Sequence, residues 1–438
     1  MREVTPEDGM VITSDTTLKP GVYHLPHGIT VKGDHVTLNG EGVVIIGTDC
    51  QGVGVRVQQC SGVTIRGLAV ERFYHGIYVS GSANVCVERC RVRHTHELPP
   101  PTAFLDVWLP LTQAYGGGIL LGGVKDGFIL NNDVQHQQNG IMLYGCENIQ
   151  VIGNDASYNS GAGILLYESS HNTIERNVAD FCCRIYAASR DAEQYHNGAD
   201  AAALVIMCNS SHNVVRHNKL RSSGDGVFLG GFHRDQIKTP CNHNLFEHND
   251  ASFSPNIAFE ATFSTGNIFR YNRADFCNYG FWLGWSRQNV VEDNHIAGNR
   301  TAGVAIEHGA NNVIRRNRFE RNGVGVQLWV NDRDQRGTAL FAEFFPEQAE
   351  SFDTEVSDNR FEHNDVAVHV WTQRGADYAG PRCRGMRILR NIIRDNRIGV
   401  QLERARDSLV QQNRIHANLV AGIRLVGCAQ VSTDGNEL

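Results

Sequence analysis

Four acidic residues of this chain stand in sequence contexts that suit acid–base chemistry. They are Asp200, where a long irregular segment ends, Asp225 in Ser-Gly-Asp-Gly, Glu260 in Phe-Glu-Ala-Thr-Phe and Glu307 in Ile-Glu-His-Gly. A pair of carboxyl groups can protonate a leaving oxygen with one member and supply a nucleophile or a base with the other. We therefore predict that these residues form the catalytic group. The alternative is that each acid is ordinary solvated surface.

Aromatic and basic residues near these acids suit carbohydrate binding. Tryptophan and tyrosine rings offer apolar area with a polar edge, and arginine can hold a carboxylated or hydroxyl-rich ligand with two hydrogen bonds. The predicted binding residues are Trp282, Trp285, Trp329, Trp371, Tyr167, Arg184, Tyr186, His233 and Arg234. The alternative is that loops pack on the rings.

An asparagine repeat predicts the scaffold that positions these residues. Asn-x4-Asn units recur at Asn172/Asn177, Asn213/Asn218, Asn244/Asn249, Asn267/Asn272, Asn289/Asn294 and Asn312/Asn317, and later turns keep Asn359, Asn391 and Asn413. Asn249, Asn272 and Asn294 are separated by 23 and 22 residues. Short alternating apolar strands at a fixed period are typical of a β-solenoid. We therefore predict an all-β, single-domain parallel β-helix of about 14 turns with stacked asparagines.

The repeat also predicts which strand residues face outward. The nine-residue step from Gly163 to Asn172 sets the frame. In this frame Glu260 aligns with Trp282, and Glu307 aligns with Trp329 and Trp371. Leu204 matches Gly163, so Ile206 and Cys208 should face outward. With about 4.8 Å between strands and about 3.3 Å between residues, the four acids should lie within roughly 5–12 Å of one another.

Breaks in the period locate five insertions in the predicted domain 1–438, after an N-terminal cap region at 1–30. They lie near 95–116, 182–200, 231–242, 331–353 and 372–385. Two precede the Gly-apolar strand and three follow it, so they should wall a groove on the outer face of one sheet. Long loops on a rigid scaffold commonly carry function, although they could also be decorative or serve oligomerisation.

Composition excludes several classes of function. The 438 residues have a net charge of −7, which disfavours nucleic acid and anionic membranes as partners. No signal peptide or membrane span is recognisable, so we expect a cytoplasmic protein. The twelve cysteines form no CxxC pairs and suit buried thiols. We expect no cofactor, no metal and an oligo- or polysaccharide partner, and both a monomer and a homo-oligomer stay open.

The repeat resembles a known family. Gly-Ile-x-Leu strands followed by Ser-x-Asn-x-Ile-x-x-Asn turns are similar to the right-handed parallel β-helix repeats of carbohydrate-binding and sugar-hydrolysing proteins, within the pectin lyase-like superfamily. The stretches around Asp225, Glu260 and Glu307 resemble those of a bacterial subgroup. The resemblance implies a right-handed helix over nearly the whole chain and is unspecific for activity. The Asp-Pro-His-Asp motif of the epimerases and the paired-Asp calcium motif of the pectate lyases are missing from the sequence.

Three functions follow as hypotheses. The first is a glycoside hydrolase or intramolecular glycosyl transferase, in which Asp225 or Glu260 is the acid and the other, or Glu307, is the nucleophile or base. The second is a lyase or epimerase acting on uronic acids, with Arg184, Tyr186, His233 or Arg234 in the reaction. The third is a non-catalytic scaffold that binds glycans.

Overall fold

The computed structural model describes residues 3–99, 105–187, 195–197, 201–233, 235–331, 337–373 and 380–438. The chain divides into two compact units, Met1–Phe228 and Leu229–Leu438. In each unit, the sheet that carries the Gly-apolar strands is called the front sheet, and its outward side is the front face.

The front sheet of the first unit is parallel. Its strands are Val11–Ile12, Ile29–Val31, Val53–Gln58, His75–Ser80, Gly117–Gly122, Asn139–Tyr144, Ile164–Tyr167 and Ala202–Met207. The side chains of Ile77, Ile119, Ile141 and Ile164 are aligned in register and fully buried. Because each turn repeats the same apolar position, every strand buries its inner side chains against those of its neighbours.

The other strands of the first unit lie in the back sheet or in a hairpin. The back sheet contains Glu3–Val4, Thr16–Leu18, Gly21–His24, Thr37–Ile46, Thr64–Glu71, Ala83–Glu88, Arg91–Arg93, Lys125–Leu130, Glu147–Ile152, Thr173–Glu175 and Val214–Arg216. The hairpin pairs Ile185–Ala187 with Tyr195–Asn197 in antiparallel fashion, a 3-10 helix spans Leu111–Gln113, and the strand Asp225–Gly230 crosses the unit boundary.

The second unit repeats this plan and adds a helix. Its front sheet contains Ile257–Glu260, Tyr279–Trp282, Ala302–Glu307, Val324–Val330, Val366–Thr372, Ile398–Glu403 and Ala421–Val426. Its back sheet contains Leu245–Glu247, Ile268–Arg270, Val290–Glu292, Val313–Arg315, Ser351–Phe352, Glu355–Ser357, Cys383–Arg384, Arg387–Leu389, Ala405–Gln411 and Ala429–Ser432. A third sheet contains His295–Ala297, Arg318–Glu320, Arg360–Glu362, Ile392–Arg394 and Arg414–His416. An α-helix spans Thr338–Phe344, a 3-10 helix spans Pro346–Gln348, and Phe232–His233 pairs with Ile237–Lys238.

Asparagine ladders run through both units, as predicted. In the second unit, the side-chain amide of Asn249 donates to the side-chain oxygen of Asn272 at 3.1 Å, and Asn272 donates in the same way to Asn294. Cys90 occupies a ladder position, since its N–H donates to Asn132 Oδ1 at 2.9 Å. A further ladder that the sequence analysis did not identify runs through Asn299, Asn322, Asn364, Asn396 and Asn418. The amides satisfy buried backbone carbonyls and fix the register of successive turns.

The structure confirms the all-β parallel fold, whereas the count of about 14 turns and the single domain stay predictions. All twelve cysteines are free thiols. No helix in the described ranges has the length and apolarity to span a membrane.

One predicted alignment is wrong by a residue. In the register, Leu165 pairs with Val205 and Tyr167 with Met207, so Val205 and Met207 face outward and Ile206 faces the core. Both Cys208 and Asn209 have a positive φ, at 51° and 63°. This turn therefore holds an extra residue, which the nine-residue step did not include.

Candidate functional site

The front face of the first unit is filled by apolar side chains. Leu120, Met142, Tyr144, Leu165, Tyr167, Val205 and Met207 form one buried cluster with Val107 and Ala114 of the insertion near 95–116. A cavity of only about 20 Å³ remains beside it, which is room for about one water molecule. Tyr167 stacks on Tyr144 at 5.1 Å within this cluster. The structure thus places Tyr167 in packed protein and not on an open groove.

The front face of the second unit carries acids and tryptophans in the predicted alignment. Glu260 pairs in register with Trp282, and Trp282 pairs with Ala305. Glu307 pairs with Trp329, and Trp329 pairs with Trp371. These alignments are confirmed. The strands that carry Glu260, Trp282 and Glu307 all keep the nine-residue step to the following ladder residue, namely Asn267, Asn289 and Asn312.

Glu260 ends the strand Ile257–Glu260 with a buried side chain. Phe259 points into the core and stacks on Phe281 at 5.0 Å, so the next residue lies on the front face. Glu260 is 9% exposed, and the Thr262 hydroxyl donates to its Oε1 at 3.4 Å. Burial raises the pKa of Glu260 to about 8, against the opposing hydrogen bond of Thr262. The carboxyl group therefore keeps its proton at neutral pH.

Glu307 has a different environment on the same face. Burial also raises its pKa, but two hydrogen bonds act in the opposite direction. Asn331 Nδ2 donates to Glu307 Oε2 at 2.7 Å, and the indole of Trp285 is the second donor. Asn331 Oδ1 in turn accepts from Trp329 Nε1 at 2.8 Å. Donors of this kind favour the charged carboxylate, so they limit the upward shift of the pKa of Glu307, whereas Glu260 has only the Thr262 hydroxyl to oppose its burial.

Trp282, Trp329 and Trp371 form a row along the front face, called here the tryptophan row. The Trp282 and Trp329 centroids lie 5.5 Å apart at an interplanar angle of 71°, and those of Trp329 and Trp371 lie 6.0 Å apart at 3°. Trp329 is buried, whereas Trp282 and Trp371 are half-buried. The small side chains of Ala302 and Ala305 make room beneath the rings. The accessible parts of Trp282 and Trp371 therefore provide an apolar surface beside Glu307.

Trp285 lies in a packed cluster, unlike the tryptophan row. It is 2% exposed and stacks on His308 at 4.1 Å, with Phe341 and Phe345 of the insertion near 331–353 packed against it. This insertion covers the ring, so Trp285 offers no open face to a sugar. Its contribution to the site is the hydrogen bond to Glu307.

His308 connects the insertion to the strand that carries Glu307. The N–H of Asn331 donates to His308 Nε2 at 3.0 Å, and His308 Nδ1 lies 2.9 Å from the carbonyl oxygen of Gln348. Because Nε2 accepts, the ring is neutral with its proton on Nδ1. Burial lowers the pKa of His308 to about 4, which maintains this form. His308 thus fixes the backbone of Asn331, whose side chain holds Glu307.

The other predicted residues fall in several places. Asp225 is fully buried in the first unit, whereas Glu260 belongs to the second, so their proximity stays a prediction. Arg184 is half-buried in the first unit. His233 lies in the hairpin of the second unit, where its Nδ1 accepts from the N–H of Asp235 at 3.1 Å. Asp200, Arg234 and the side chain of Tyr186 lie outside the described residues.

The sequence analysis missed several residues that contact the site. They are Asn331, His308, His369, Gln401 and Glu403. The last three were visible in the alignment of outward positions, whereas nothing in the repeat pointed to Asn331. Within the described ranges, no group of three or more His, Cys, Asp or Glu residues is arranged to hold a metal ion.

Some solved structures are similar to the chain at low identity. The mannuronan C-5 epimerase AlgE6 A-module of Azotobacter vinelandii is 14% identical, with 97% of this chain and 91% of that chain covered and a TM-score of 0.41. The catalytic domain of a GH87 alpha-1,3-glucanase is 12% identical, with 100% and 70% covered and a TM-score of 0.45. The GH136 lacto-N-biosidase of Eubacterium ramulus is 13% identical, with 72% and 57% covered and a TM-score of 0.37. Similarities of this size assign no activity to the present chain.

A comparison with curated proteins gives no match. The family described as "Right handed beta helix region" matches residues 27–232 and 203–379, which together make up most of the sequence. The matched segments contain the front-sheet strands from Ile29–Val31 to Val366–Thr372. The chain therefore belongs to the right-handed β-helix family.

Proposed function

We propose that the front face of the second unit cleaves a glycosidic bond in an oligo- or polysaccharide. Glu260 protonates the leaving oxygen, and Glu307 acts as the base or nucleophile. The observation that carries the proposal is the pairing of a buried, protonated carboxyl with a hydrogen-bonded carboxyl on one face. Glycoside cleavage needs one protonated and one ionised acid, and the donors around Glu307 make it the more easily ionised of the two.

The spacing of the two residues suits an inverting reaction. Glu307 lies two strands beyond Glu260 and two residues further along its strand. Steps of about 4.8 Å and about 3.3 Å give a Cα–Cα distance of about 12 Å. Side chains that lean toward each other shorten this distance for the carboxyl groups. Inverting enzymes hold their carboxyl groups about 6.5–9.5 Å apart to admit a water molecule, against about 5–5.5 Å in retaining enzymes. We therefore expect inversion of the anomeric configuration.

The tryptophan row supports a carbohydrate as the ligand. Trp282 is partly open and pairs in register with Glu260, while Trp371 continues the apolar area on the other side of Glu307. Aromatic faces with accessible polar edges match the alternating apolar and hydroxyl surfaces of sugar rings. A uronic acid lyase would in addition need a cation to neutralise the substrate carboxylate. Among the second unit's described residues that align in register with Glu260, Arg424 is the only arginine or lysine.

The test is the release of reducing ends from a panel of neutral polysaccharides by the full chain. Once a substrate is found, Glu260→Gln and Glu307→Gln should each lower kcat by about 100-fold or more, because general acid–base catalysis contributes about 10²–10⁴-fold. Glu247→Gln is the matched control, because Glu247 forms an ion pair with Arg270 on the back sheet. Unchanged turnover in Glu260→Gln would remove Glu260 from the mechanism.

Two other outcomes would replace the proposal. An unsaturated uronate product, detected by its ultraviolet absorbance, would establish a lyase. Saturable glycan binding without any product would establish a binding scaffold.

A further inference from the structure

A polar cluster lies beyond the tryptophan row, at the side away from Glu260. His369, Gln401 and Glu403 share the front face of the adjacent strands Val366–Thr372 and Ile398–Glu403. His369 Nε2 lies 3.4 Å from Glu403 Oε1, and the ring of His369 stacks on Trp371 at 6.2 Å. The four side chains, called here the distal cluster, take no part in the chemistry proposed for Glu260 and Glu307.

Two polar atoms of the distal cluster are buried without a hydrogen-bond partner among the described residues. They are Trp371 Nε1, a donor, and Gln401 Oε1, an acceptor. Gln401 is 8% exposed. Its orientation is fixed, because its Nε2 donates to Glu403 Oε1 and the opposite orientation would set two oxygens against each other. An unsatisfied buried polar atom costs about 1–3 kcal/mol, so a folded protein that keeps two of them on adjacent strands needs a reason.

We infer that the distal cluster is a second saccharide-binding site, which takes a neutral sugar unit through two of its hydroxyl groups. One hydroxyl accepts from Trp371 Nε1, and another donates to Gln401 Oε1. The inference rests on the proposed function in one respect, namely that the ligand is a carbohydrate.

The charges of the distal cluster favour a neutral ligand. A carboxylate could accept from Trp371 Nε1, but it could not satisfy Gln401 Oε1, since it has no proton to give. It would also lie beside the acidic Glu403, which is 38% exposed. His369 provides no compensating charge, because burial lowers its pKa and keeps the ring neutral. Arg424, opposite Gln401 in the next strand, is exposed and lies beyond this cluster.

The position of the distal cluster predicts the length of the substrate. Trp371 lies two strands and Glu403 three strands from Glu307 in one line of register. These steps correspond to about 10 Å and about 14 Å. A chain bound at both sites must span at least this distance, so we expect an oligosaccharide to reach both the distal cluster and Glu307 and a single sugar unit to reach only one of them.

The experiment is equilibrium binding by titration calorimetry with the full chain. The probes are neutral gluco-, manno- and galacto-tetrasaccharides and a tetra-uronate. We expect a neutral tetrasaccharide to bind, and Trp371→Phe and Gln401→Leu each to raise its Kd about 10-fold, because each removes one hydrogen bond and keeps the packing. Gln411→Leu is the matched control, since Gln411 bonds Ser432 on the back sheet, and its Kd should stay within about 2-fold of wild type.

Three results would overturn the inference. They are tighter binding of the tetra-uronate, the same Kd in Trp371→Phe and Gln401→Leu as in wild type, and no binding of any neutral tetrasaccharide. Measuring the binding of the tetrasaccharides to Glu260→Gln separates a failure of this inference from a failure of the proposed function. If this variant and wild type bind equally but neither wild type nor variant forms product, the catalytic proposal fails and the distal site stands.

Discussion

The front faces of the two units are built from the same repeat and differ in what lies on them. In the first unit, the outward positions from the strand Gly117–Gly122 to the strand Ala202–Met207 are mostly apolar, and the insertion near 95–116 packs directly on them. In the second unit, the front face carries Glu260, Glu307, the tryptophan row and the polar residues His369, Gln401 and Glu403. The comparison shows that an outward strand position becomes core where an insertion packs apolar side chains on it.

The largest expected effect concerns the stability of the first unit. Met142 is fully buried in the front-face cluster. Met142→Ala should lower the free energy of unfolding by about 2–5 kcal/mol, because it leaves a cavity in packed protein. Urea denaturation of the full chain measures this change.

Trp282→Ala is the paired variant in the second unit. Trp282 is half-buried, so its loss should affect carbohydrate binding more than stability. Equal losses of stability in Met142→Ala and Trp282→Ala would show that the front faces of both units belong to the packed core. The proposed difference between the two front faces would then be wrong.

The next effect is a pH dependence that belongs to Glu260. Its pKa is raised from 4.5 to about 8 in the folded chain, so the folded state binds a proton that the unfolded state releases between these values. The wild type should therefore lose stability as pH rises from about 4.5 to about 8. In Glu260→Gln this loss should be smaller, and what remains is due to other groups such as Glu307, whose pKa is also raised by burial.

Urea denaturation midpoints of both proteins across this pH range give the measurement. Parallel curves would mean that Glu260 is ionised in the folded state. The first unit provides an internal comparison, since Met142→Ala should keep the pH dependence of the wild type.

The smallest effect tests the contact between the insertion and Glu307. Asn331→Ala removes the donor to Glu307 Oε2 and the acceptor for Trp329 Nε1. We expect kcat to fall about 10-fold, as for the loss of one hydrogen bond to a charged group. The pKa of Glu307 should rise, because its carboxylate loses a stabilising donor.

The acidic limb of the pH–rate profile should accordingly move to higher pH in Asn331→Ala. Asn331→Asp keeps the size of the side chain but brings a second acid beside Glu307, so it should shift the limb further. A profile identical to that of wild type in both variants would exclude Glu307 as the base.

Much of the fold could be predicted because the solenoid repeats in register. The spacing from Asn249 to Asn294 fixed both the ladder and the alignment of Glu260 with Trp282. The same rule gave the wrong outward face at Ile206, where Cys208 and Asn209 both adopt left-handed backbone. An extra residue in the turn shifts an alignment that is counted back from the following Asn by one position, and a shift of one residue exchanges the predicted inward and outward side chains.

The sequence by itself determined the parallel strands, the ladders and the shared face of Glu260, Glu307 and the tryptophan row, because each depends on local repetition. Only the tertiary structure decided which rings stay open, since this depends on insertions that follow no period. It placed Trp285 beneath Phe341 and Phe345 and Tyr167 beneath the insertion near 95–116. It also brought Asn331 to Glu307. Burial and hydrogen bonding between distant segments set the protonation of the two acids, and these contacts leave no pattern in the sequence.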